Sequence, residues 1–502
     1  SLAMIVRDNE RIIRECLTSI RPWVDEMVVV DTGSQDATPQ IAAELGAKVS
    51  SFAWCDDFAA ARNAAVERVS GDWIFWMDSD DTIDEQNGRR LRHLLDTPPA
   101  DDTLGFVMQV HCPDGDLSGA GDVTVVDHVK LFRNLPELRF ERRIHEQILS
   151  SIRSTDGEIQ WTDIYVVQSN SDQSQAGQAR KRQRDLRLLH LELGERPHDP
   201  FTLFNLGMTF ADGGELHKAS EYLRECIQRS RITETPLRKA YALLVHCLRG
   251  LGEVDDAWQT CLRGLELFPT DAELRFRAAL LLHDQGEFER SIEMYHSVLT
   301  EPEPREFGSR VRSITGFKAR QNLAVVYTDA GDLAAAEEQW RRVVQEAPQY
   351  VPGWRGLANN LLLQSRFTEV EQIVQELRTN SALKPTALLI EGQVLRVRGD
   401  VAAATTKLEE ACALVGDDLE PLRELCRVRF ETGPLRSAAD VLEKLVAADP
   451  EDPAAHHNLG TVYVQQGRLA EARSAFTQSL ELRPDSTDTL LNLGRTLQAM
   501  GL

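Results

Sequence analysis

The 502-residue sequence lacks three features that would each point to a class of protein. No run approaches 18 consecutive apolar residues, so we expect no membrane span. Lys and Arg number 56 against 79 Asp and Glu, and the resulting net charge of −23 argues against a general nucleic-acid binder. The eight cysteines form no CxxC pair, which is typical of free thiols in a reducing compartment. We therefore expect a cytoplasmic protein.

The first part of the chain alternates strand-like and helical patterns. Strands are predicted at 2–6, 26–30 and 73–77, and helices at 9–20, 38–45 and 58–69. This alternation predicts an α/β domain with a Rossmann-like, mostly parallel sheet, in which ligands bind at the carboxyl ends of the strands. A hydrophobic share of 42% with 27% charged residues is ordinary for a folded chain of this length.

The second part of the chain is helical and repetitive. The intervals between helix–helix turns are 38, 34 and 45 residues and then 34 throughout, and 34 residues is the tetratricopeptide period. The turn positions are Gly214, Gly252, Gly286, Gly331, Ser365, Gly399, Gly433, Gly467 and Gly501. We expect an α/β domain over residues 1–178, then eight repeats and a truncated ninth over residues 179–502, in an all-α superhelix.

Polar residues follow two of the predicted strands. Asp31 ends the first of them and precedes a Gly33 turn. An Asp at this place can accept a hydrogen bond from the N3–H of uracil or from a ribose hydroxyl, and the alternative is turn and cap chemistry alone. Asp78, Asp80 and Asp81 follow the second strand, where closely spaced carboxylates favour Mg²⁺ or Mn²⁺. A solvated acidic loop is the alternative.

Two further segments carry reactive side chains. Arg62, on a predicted helix, suits contact with a diphosphate or a base. Segment 142–147 combines two arginines with His145 and Glu146, the residue types of acid–base catalysis and of metal binding. Either His145 or Glu146 could equally be an ordinary surface residue.

Together these motifs resemble the family 2 glycosyltransferases of GT-A fold, in the bacterial branch fused to tetratricopeptide repeats. The resemblance rests on segments in the family's order and spacing: 2–10, 25–26, 31–38, 54–58, 62–63, 71–73, 78–80 and 144–146. It implies an inverting, metal-dependent transfer of a sugar from a nucleotide diphosphate, usually a UDP-sugar.

The resemblance also implies roles for individual residues. The nucleotide-sugar would contact Val6, Arg7, Glu10, Asp31, Gly33, Arg62, Asp78 and Ser79. The metal would contact Asp80, Asp78 and His145. Glu146 would be the base that deprotonates the acceptor, and His145 would help to orient the acceptor or the diphosphate.

The sequence departs from its relatives at two places. The QxxRW signature of processive synthases is absent, which favours a single transfer. Relatives commonly have a histidine just after the last strand, where this chain has Gln168. If that histidine binds metal, this chain would bind metal more weakly or use His145 instead.

The repeats carry a recurrent asparagine. Asn205, Asn322, Asn458 and Asn492 share one position of their repeats, and a carboxamide can bind a peptide backbone without reading its sequence. This partial ladder resembles that of the protein O-GlcNAc transferases, and a structural role for these residues is the alternative. The leading hypothesis is thus a transferase whose repeats hold a protein or peptide acceptor. Its rivals are a transferase for a glycan or small acceptor, whose repeats serve oligomerisation, and an inactive scaffold.

Overall fold

The computed structural model forms two compact units, Ser1–Ala330 and Gly331–Leu502. It describes residues 1–97, 102–113, 122–155, 157–169, 174–301, 307–416, 418–432 and 435–502. The first unit therefore contains the α/β part together with the first repeats, and the second unit contains repeats. Among the described residues, no helix combines the length and apolarity needed to cross a lipid bilayer.

Among the described residues, a nine-stranded mixed sheet forms the centre of the first unit. Its strands are β1 (Leu2–Val6), β2 (Met27–Asp31), β3 (Lys48–Ser51), β4 (Trp73–Trp76), β5 (Asp81–Thr82), β6 (Thr103–Pro113), β7 (Val123–Arg133), β8 (Glu158–Gln168) and β9 (Ser309–Val311). The order is β3-β2-β1-β4-β7-β6-β8-β5, with β9 on β7. Strands β3, β2, β1 and β4 are parallel, and β7 pairs with β4 and β6 in the antiparallel sense.

Short helices cover both faces of this sheet. They are α1 (Ile13–Ile20), α2 (Thr38–Glu44), α3 (Phe58–Val66), α4 (Glu85–Asp96) and α5 (Leu149–Ser154). Because side chains alternate along a strand, Leu2, Met4 and Val6 of β1 pack on the face with α1, α2 and α4. Ala3 and Ile5 pack on the opposite face, which α3 and α5 cover.

The α/β architecture is confirmed, with two differences in detail. The sheet is less parallel than predicted: β3, β2, β1 and β4 pair in parallel, as do β6 and β8, but β7 pairs with β4, β6 and β9 in the antiparallel sense. The helix predicted from residue 9 begins at Ile13. Asn9 and Glu10 instead belong to the loop after β1, where their N–H groups donate to Thr38 Oγ1 at 2.7 Å and to Asp36 Oδ2 at 3.1 Å.

A long helix and then paired helices form the repeats. After α6 (Gln175–Glu195), the first unit contains α7 (Pro200–Asp212), α8 (Leu216–Arg229), α9 (Pro236–Gly250), α10 (Val254–Leu267), α11 (Ala272–Asp284), α12 (Phe288–Thr300) and α13 (Phe317–Asp329). The second unit contains α14 (Leu333–Glu346), α15 (Val351–Leu363), α16 (Phe367–Arg378), α17 (Lys384–Val397), α18 (Val401–Leu414), α19 (Glu420–Thr432), α20 (Leu435–Ala448), α21 (Pro453–Gln465), α22 (Leu469–Leu482) and α23 (Thr487–Ala499).

The predicted turn positions are confirmed wherever the structure describes them. Each turn glycine has a φ between 75° and 87°, the left-handed region that glycine adopts at little cost. Ser365 has a φ of 58°, so it occupies the glycine's place in the backbone, as its position in the period predicts. Gly433 lies outside the described residues.

The 45-residue interval contains an insertion that joins the sheet. Strand β9 lies between α12 and α13, and its residues Ser309 to Val311 pair with Thr124 to Val126 of β7. Strand β4 pairs only with residues 131–133 of β7, so β9 covers a part of the β7 edge that β4 does not reach. Asp122 accepts hydrogen bonds from Ser313 Oγ and Lys318 Nζ, both at 2.6 Å, and so fixes the insertion to the start of β7.

Candidate active site

The loops that follow β1 and β2 are joined by hydrogen bonds. Asp8 Oδ1 accepts from the Gln35 N–H at 2.7 Å, and Asp8 N–H donates to Ser34 Oγ at 3.0 Å. Asp8 has a φ of 53°, which points its carboxylate back towards the second loop. Because β1 and β2 are parallel, both loops lie at the same edge of the sheet. This edge is the place where the α/β architecture predicts a ligand.

Three residues predicted to contact the nucleoside lie at this edge with different exposures. Val6 is buried in the core, and its carbonyl oxygen accepts from Thr32 N–H at 3.0 Å and Thr32 Oγ1 at 3.1 Å. Glu10 Oε2 accepts from the Ala37 N–H at 3.2 Å, so it orders the second loop. The Arg7 side chain is 53% exposed, and Glu10 is exposed as well, so both are accessible to a ligand, whereas Val6 is not.

Asp31 is held in its own turn at the end of β2. Its carboxylate accepts from Ser34 Oγ at 2.6 Å, from Ser34 N–H at 3.1 Å and from Gly33 N–H at 3.3 Å. Gly33 has a φ of 109°, a conformation that a side chain would strain. A carboxylate has about four acceptor sites, so three donors leave Asp31 able to accept one more hydrogen bond. The turn chemistry and a ligand contact are therefore compatible.

The three carboxylates after β4 have different partners. Arg62 Nη2 donates to Asp78 Oδ1 at 2.6 Å, whereas Lys130 Nζ donates to Asp81 Oδ2 at 2.7 Å. Asp81 and Lys130 are fully buried, and Lys130 Nζ also lies 3.8 Å from the centre of the Trp76 ring. Asp81 is thus committed to a buried ion pair.

Asp80 is the least neutralised of these carboxylates. Its nearest side-chain donor is Gln168, whose Nε2 lies 3.4 Å from Asp80 Oδ1. Burial, with the charges of Asp78 and Asp81, raises the pKa of Asp80 to about 7. Gln168, the residue that departs from the family pattern, therefore lies directly against the carboxylate predicted to bind metal.

Arg62 connects the strand end to a distant loop. This residue of α3 is buried; its Nη2 donates to Asp78, and its Nε donates to Glu146 Oε1. The guanidinium lies 4.3 Å from the centre of the Trp76 ring and 5.7 Å from that of Phe140. Burial opposes the charge of Arg62, but Glu146 and Asp78 outweigh it and raise the pKa of Arg62. A planar fork between two carboxylates fixes both of them in position.

The loop that carries His145 and Glu146 has an unusual backbone. Glu141 and Gln147 close it through two reciprocal backbone hydrogen bonds of 3.0 Å. Within it, Arg142 has a φ of 84° and His145 a φ of 53°. Such residues cost about 1–3 kcal/mol each and persist only where surrounding contacts fix them. Burial lowers the pKa of His145, so its imidazole is neutral at pH 7.

The contacts that fix this loop come from the start of the repeat region. Arg142 binds Asp199, the cap of α7, through Nη1–Oδ2 and Nη2–Oδ1 distances of 2.6 and 3.1 Å. The Arg143 N–H donates to Glu192 Oε2 of α6 at 2.8 Å. Ile144 is buried in the hydrophobic core that α6 and the first repeats form. The position of Glu146 therefore depends on helices outside the α/β part.

The predicted metal ligands do not form a three-ligand centre. Among the described residues, no group of three or more His, Cys, Asp or Glu side chains is arranged to hold a metal ion. Asp78 faces Arg62, and Ser79 is half-buried beside it. Asp80 remains a suitable single ligand, because a crowded carboxylate is stabilised by a hard divalent cation as well as by a proton.

Two residues of β7 near this site are absent from the sequence-based prediction. Lys130 pairs with Asp81, and His128 lies edge-on to Trp76 with ring centres 5.5 Å apart. Burial and the charge of Lys130 lower the pKa of His128 to about 3. The signal was present in the sequence, because charged residues within an apolar strand need buried partners.

Comparisons with known proteins identify the family of this chain. The family model described as glycosyl transferase family 2 matches residues 1–138. Tetratricopeptide models match residues 202–233, 318–346 and 425–487. A TPR repeat-containing protein of Synechococcus elongatus is 30% identical over 354 residues, which are 69% of this chain and 75% of that protein. The chain belongs to the family 2 glycosyltransferases with tetratricopeptide repeats.

Other relatives match a smaller part of this glycosyltransferase. The SPbeta prophage-derived glycosyltransferase SunS of Bacillus subtilis is 22% identical over 229 residues, which are 45% of this chain and 52% of SunS. An uncharacterized glycosyltransferase of Rickettsia felis is 28% identical over 109 residues, 22% of this chain and 38% of its own. The chain thus spans about half of SunS and somewhat less than two fifths of the Rickettsia protein.

The predicted peptide-binding asparagines of the glycosyltransferase differ in their surroundings. Asn205 is buried in α7, and its Nδ2 donates to the Phe201 carbonyl at 2.8 Å, the contact of a structural residue. Asn322 is half-buried. Asn458 and Asn492, in the second unit, are also half-buried. Peptide binding by these four residues stays a prediction, and it is weakest for Asn205.

Proposed function

We propose that this glycosyltransferase transfers a sugar, with inversion and with the help of a divalent cation, from a UDP-sugar to a protein or peptide. The observation that carries the proposal is the Arg62 fork, which holds the strand-end carboxylate Asp78 and the loop carboxylate Glu146 in one buried network beside Asp80. An inactive scaffold would have no need to withdraw Arg62 and Glu146 from water, because buried charges are costly.

The donor would bind at the ends of β1, β2 and β4. Asp31 would accept the N3–H of uracil with its remaining acceptor site, and exposed Arg7 would lie beside the nucleoside. Asp80, with Mn²⁺ or Mg²⁺ as a partner, would face the diphosphate, and Asp78 would bind the ribose. The cation would neutralise the diphosphate and stabilise the departing nucleoside diphosphate.

Glu146 would act on the acceptor. Arg62 occupies Oε1 of Glu146, and among the described residues Oε2 has no hydrogen-bond partner. Oε2 would take the proton of the acceptor as the acceptor atom forms its bond to the anomeric carbon. The bond from that carbon to the diphosphate oxygen breaks on the opposite side, and its electron pair leaves with the nucleoside diphosphate. His145, which is neutral at pH 7, would orient the acceptor or the diphosphate.

A polypeptide acceptor is favoured by the way the repeats meet the site. The first repeat helices contact the Glu146 loop directly through Asp199 and Glu192. Repeats that served only for oligomerisation would not need to hold a catalytic loop. A transferase for a glycan or small acceptor is the second candidate, because tetratricopeptide helices that fix a loop could do so for any acceptor.

The test is calorimetric binding of UDP and GDP, with and without Mn²⁺, to the wild type and to Asp80→Ala. We expect UDP to bind in the presence of Mn²⁺ and the substitution to weaken binding about 100-fold, equivalent to about 2.7 kcal/mol. Asp96→Ala is the control, because Asp96 lies on α4 and is 60% exposed. Tighter binding of GDP than of UDP would contradict the UDP assignment. Absence of any nucleotide binding would contradict a transferase.

A further inference from the structure

A second cleft lies where three parts of the first unit meet. Its volume is about 280 Å³, near the small end of ligand sites. The sheet contributes Gln109 and Val125 to its lining, and the β9 insertion contributes Arg310 and Arg312. The repeat helices α9 and α11 contribute Lys239 and Glu273. None of these residues belongs to the donor site described above.

The cleft lies on the catalytic face of the sheet. Val125 and Val129 are four residues apart on β7, so both side chains point to the same face. The Val129 carbonyl accepts from Trp76 Nε1 at 2.7 Å, and Arg62 stacks on that Trp76 ring. At about 3.3 Å per residue, Val125 lies about 13 Å along β7 from Val129, which contacts the Trp76 ring on which Arg62 stacks. An extended peptide covers that distance in about four residues.

Two of the three cations in the cleft have carboxylate partners, and the third has none within the described part of the chain. Lys239 forms an ion pair with Glu273, and Arg310 lies 3.6 Å from the buried Asp127. Arg312 is exposed and has no ion-pair partner among the described residues. The cleft therefore has an excess of positive charge within a chain whose net charge is −23.

The neighbouring histidine responds to this charge. His111 follows Gln109 on the same face of β6, and its Nε2 lies 3.0 Å from Gln109 Oε1. Burial lowers the pKa of His111, and the charges of Arg312 and Arg310 lower it further. The negative charge of Glu273 does not cancel the charges of these arginines, because Glu273 is paired with Lys239.

We propose that this cleft is an acceptor subsite in which Arg312 binds an acidic side chain of the polypeptide, about four residues from the glycosylated one. The proposal rests on the proposed function, since it specifies the class of protein acceptor. A guanidinium binds a carboxylate through two parallel hydrogen bonds, and the sheet and the repeats would together enclose the intervening residues. The insertion between two repeats would thereby select the acceptor by charge, while the repeat helices hold the loop of Glu146.

The test uses synthetic nonapeptides with a central Ser, Thr or Cys and a single Glu, Gln or Lys placed two to four residues away. The full-length enzyme receives the labelled UDP-sugar that binds most tightly in calorimetry, and initial rates are compared. We expect Glu four residues away to raise the rate about tenfold over Gln, and Lys to lower it. Arg312→Glu should reverse this order, whereas Arg290→Glu, an exposed arginine on α12, should leave it unchanged.

The outcomes separate this subsite from the proposed function. Equal rates for Glu, Gln and Lys peptides would overturn the subsite but leave protein glycosylation standing. Absence of transfer to every peptide, with sugar still transferred to small acceptors, would overturn the polypeptide acceptor and the subsite together. Calorimetry of UDP with Mn²⁺ should give the same affinity for Arg312→Glu and wild type. A large loss there would assign Arg312 to the donor diphosphate and overturn the subsite.

Discussion

The two halves of the site are held in place by different means. Asp31 ends strand β2, and Asp78 and Asp80 follow strand β4, so the backbone hydrogen bonds of the sheet fix their positions. His145 and Glu146 lie on a loop that is fixed by side chains from elsewhere, above all by the Arg142–Asp199 ion pair. The strand-end half is therefore a property of the fold, whereas the loop half depends on the repeats. Arg62 is the residue that contacts both halves.

The largest expected effect is on kcat, and it distinguishes proton acceptance by the loop half from nucleotide binding by the strand-end half. Glu146→Gln should lower kcat by about 10²- to 10⁴-fold, because the amide cannot accept the acceptor's proton. Binding of UDP with Mn²⁺ should change less than about threefold, in contrast to the weakening of about 100-fold expected for Asp80→Ala. Steady-state kinetics and calorimetry measure the two quantities. Glu137→Gln is the control, since Glu137 is an exposed carboxylate in the same region of the chain. Equal losses of kcat and of UDP affinity would contradict the separation.

A smaller effect is expected when the connection between the halves is weakened. Arg62→Lys retains the charge but cannot hold two carboxylates in a planar fork. We expect kcat to fall about 100-fold and the free energy of unfolding to fall by about 1–3 kcal/mol, because one buried carboxylate loses its partner. Denaturation and initial-rate measurements test this together. A variant with wild-type kcat would show that the two halves work independently.

The smallest effect should come from loosening the loop half at its attachment to the repeats. Asp199→Asn removes the charge that Arg142 faces but keeps a cap for the Thr202 N–H, which Asp199 Oδ2 now accepts at 2.8 Å. We expect kcat to fall about tenfold, with UDP affinity and the melting temperature nearly unchanged.

The matched control for this prediction is Asp284→Asn on α11. Asp284 forms a similar forked pair with Arg249, whose Nη2 lies 2.9 Å from Asp284 Oδ1, but it touches no part of the site. Its kcat should remain within about twofold of wild type. If the two variants lose activity equally, the Arg142–Asp199 pair has no special role in positioning Glu146.

The same contrast explains what the sequence could predict. The positions of residues at strand ends can be predicted, because a short apolar run followed by Asp is typical of a buried strand that ends at the sheet edge. Asp31 and Asp78 lie at the strand ends that this pattern predicts. The left-handed backbone conformation of Ser365 could be predicted, because the 34-residue period places this residue at the position of the turn glycines. The partners of Arg142 and Lys130, which are Asp199 and Asp81, could not be predicted from the sequence. Each partner lies about fifty residues away along the chain, and the pairing depends on how the helices and strands pack.

Strand β9 has a consequence for how such a protein can be rearranged. A segment between two repeats has become part of the sheet of the other module, where it covers an edge of β7. A gene fusion or truncation that exchanged repeats upstream of α13 would leave that edge free to pair with another chain. Exchange of the early repeats would therefore disturb the sheet, whereas the repeats after the insertion contribute no strand to it among the described residues.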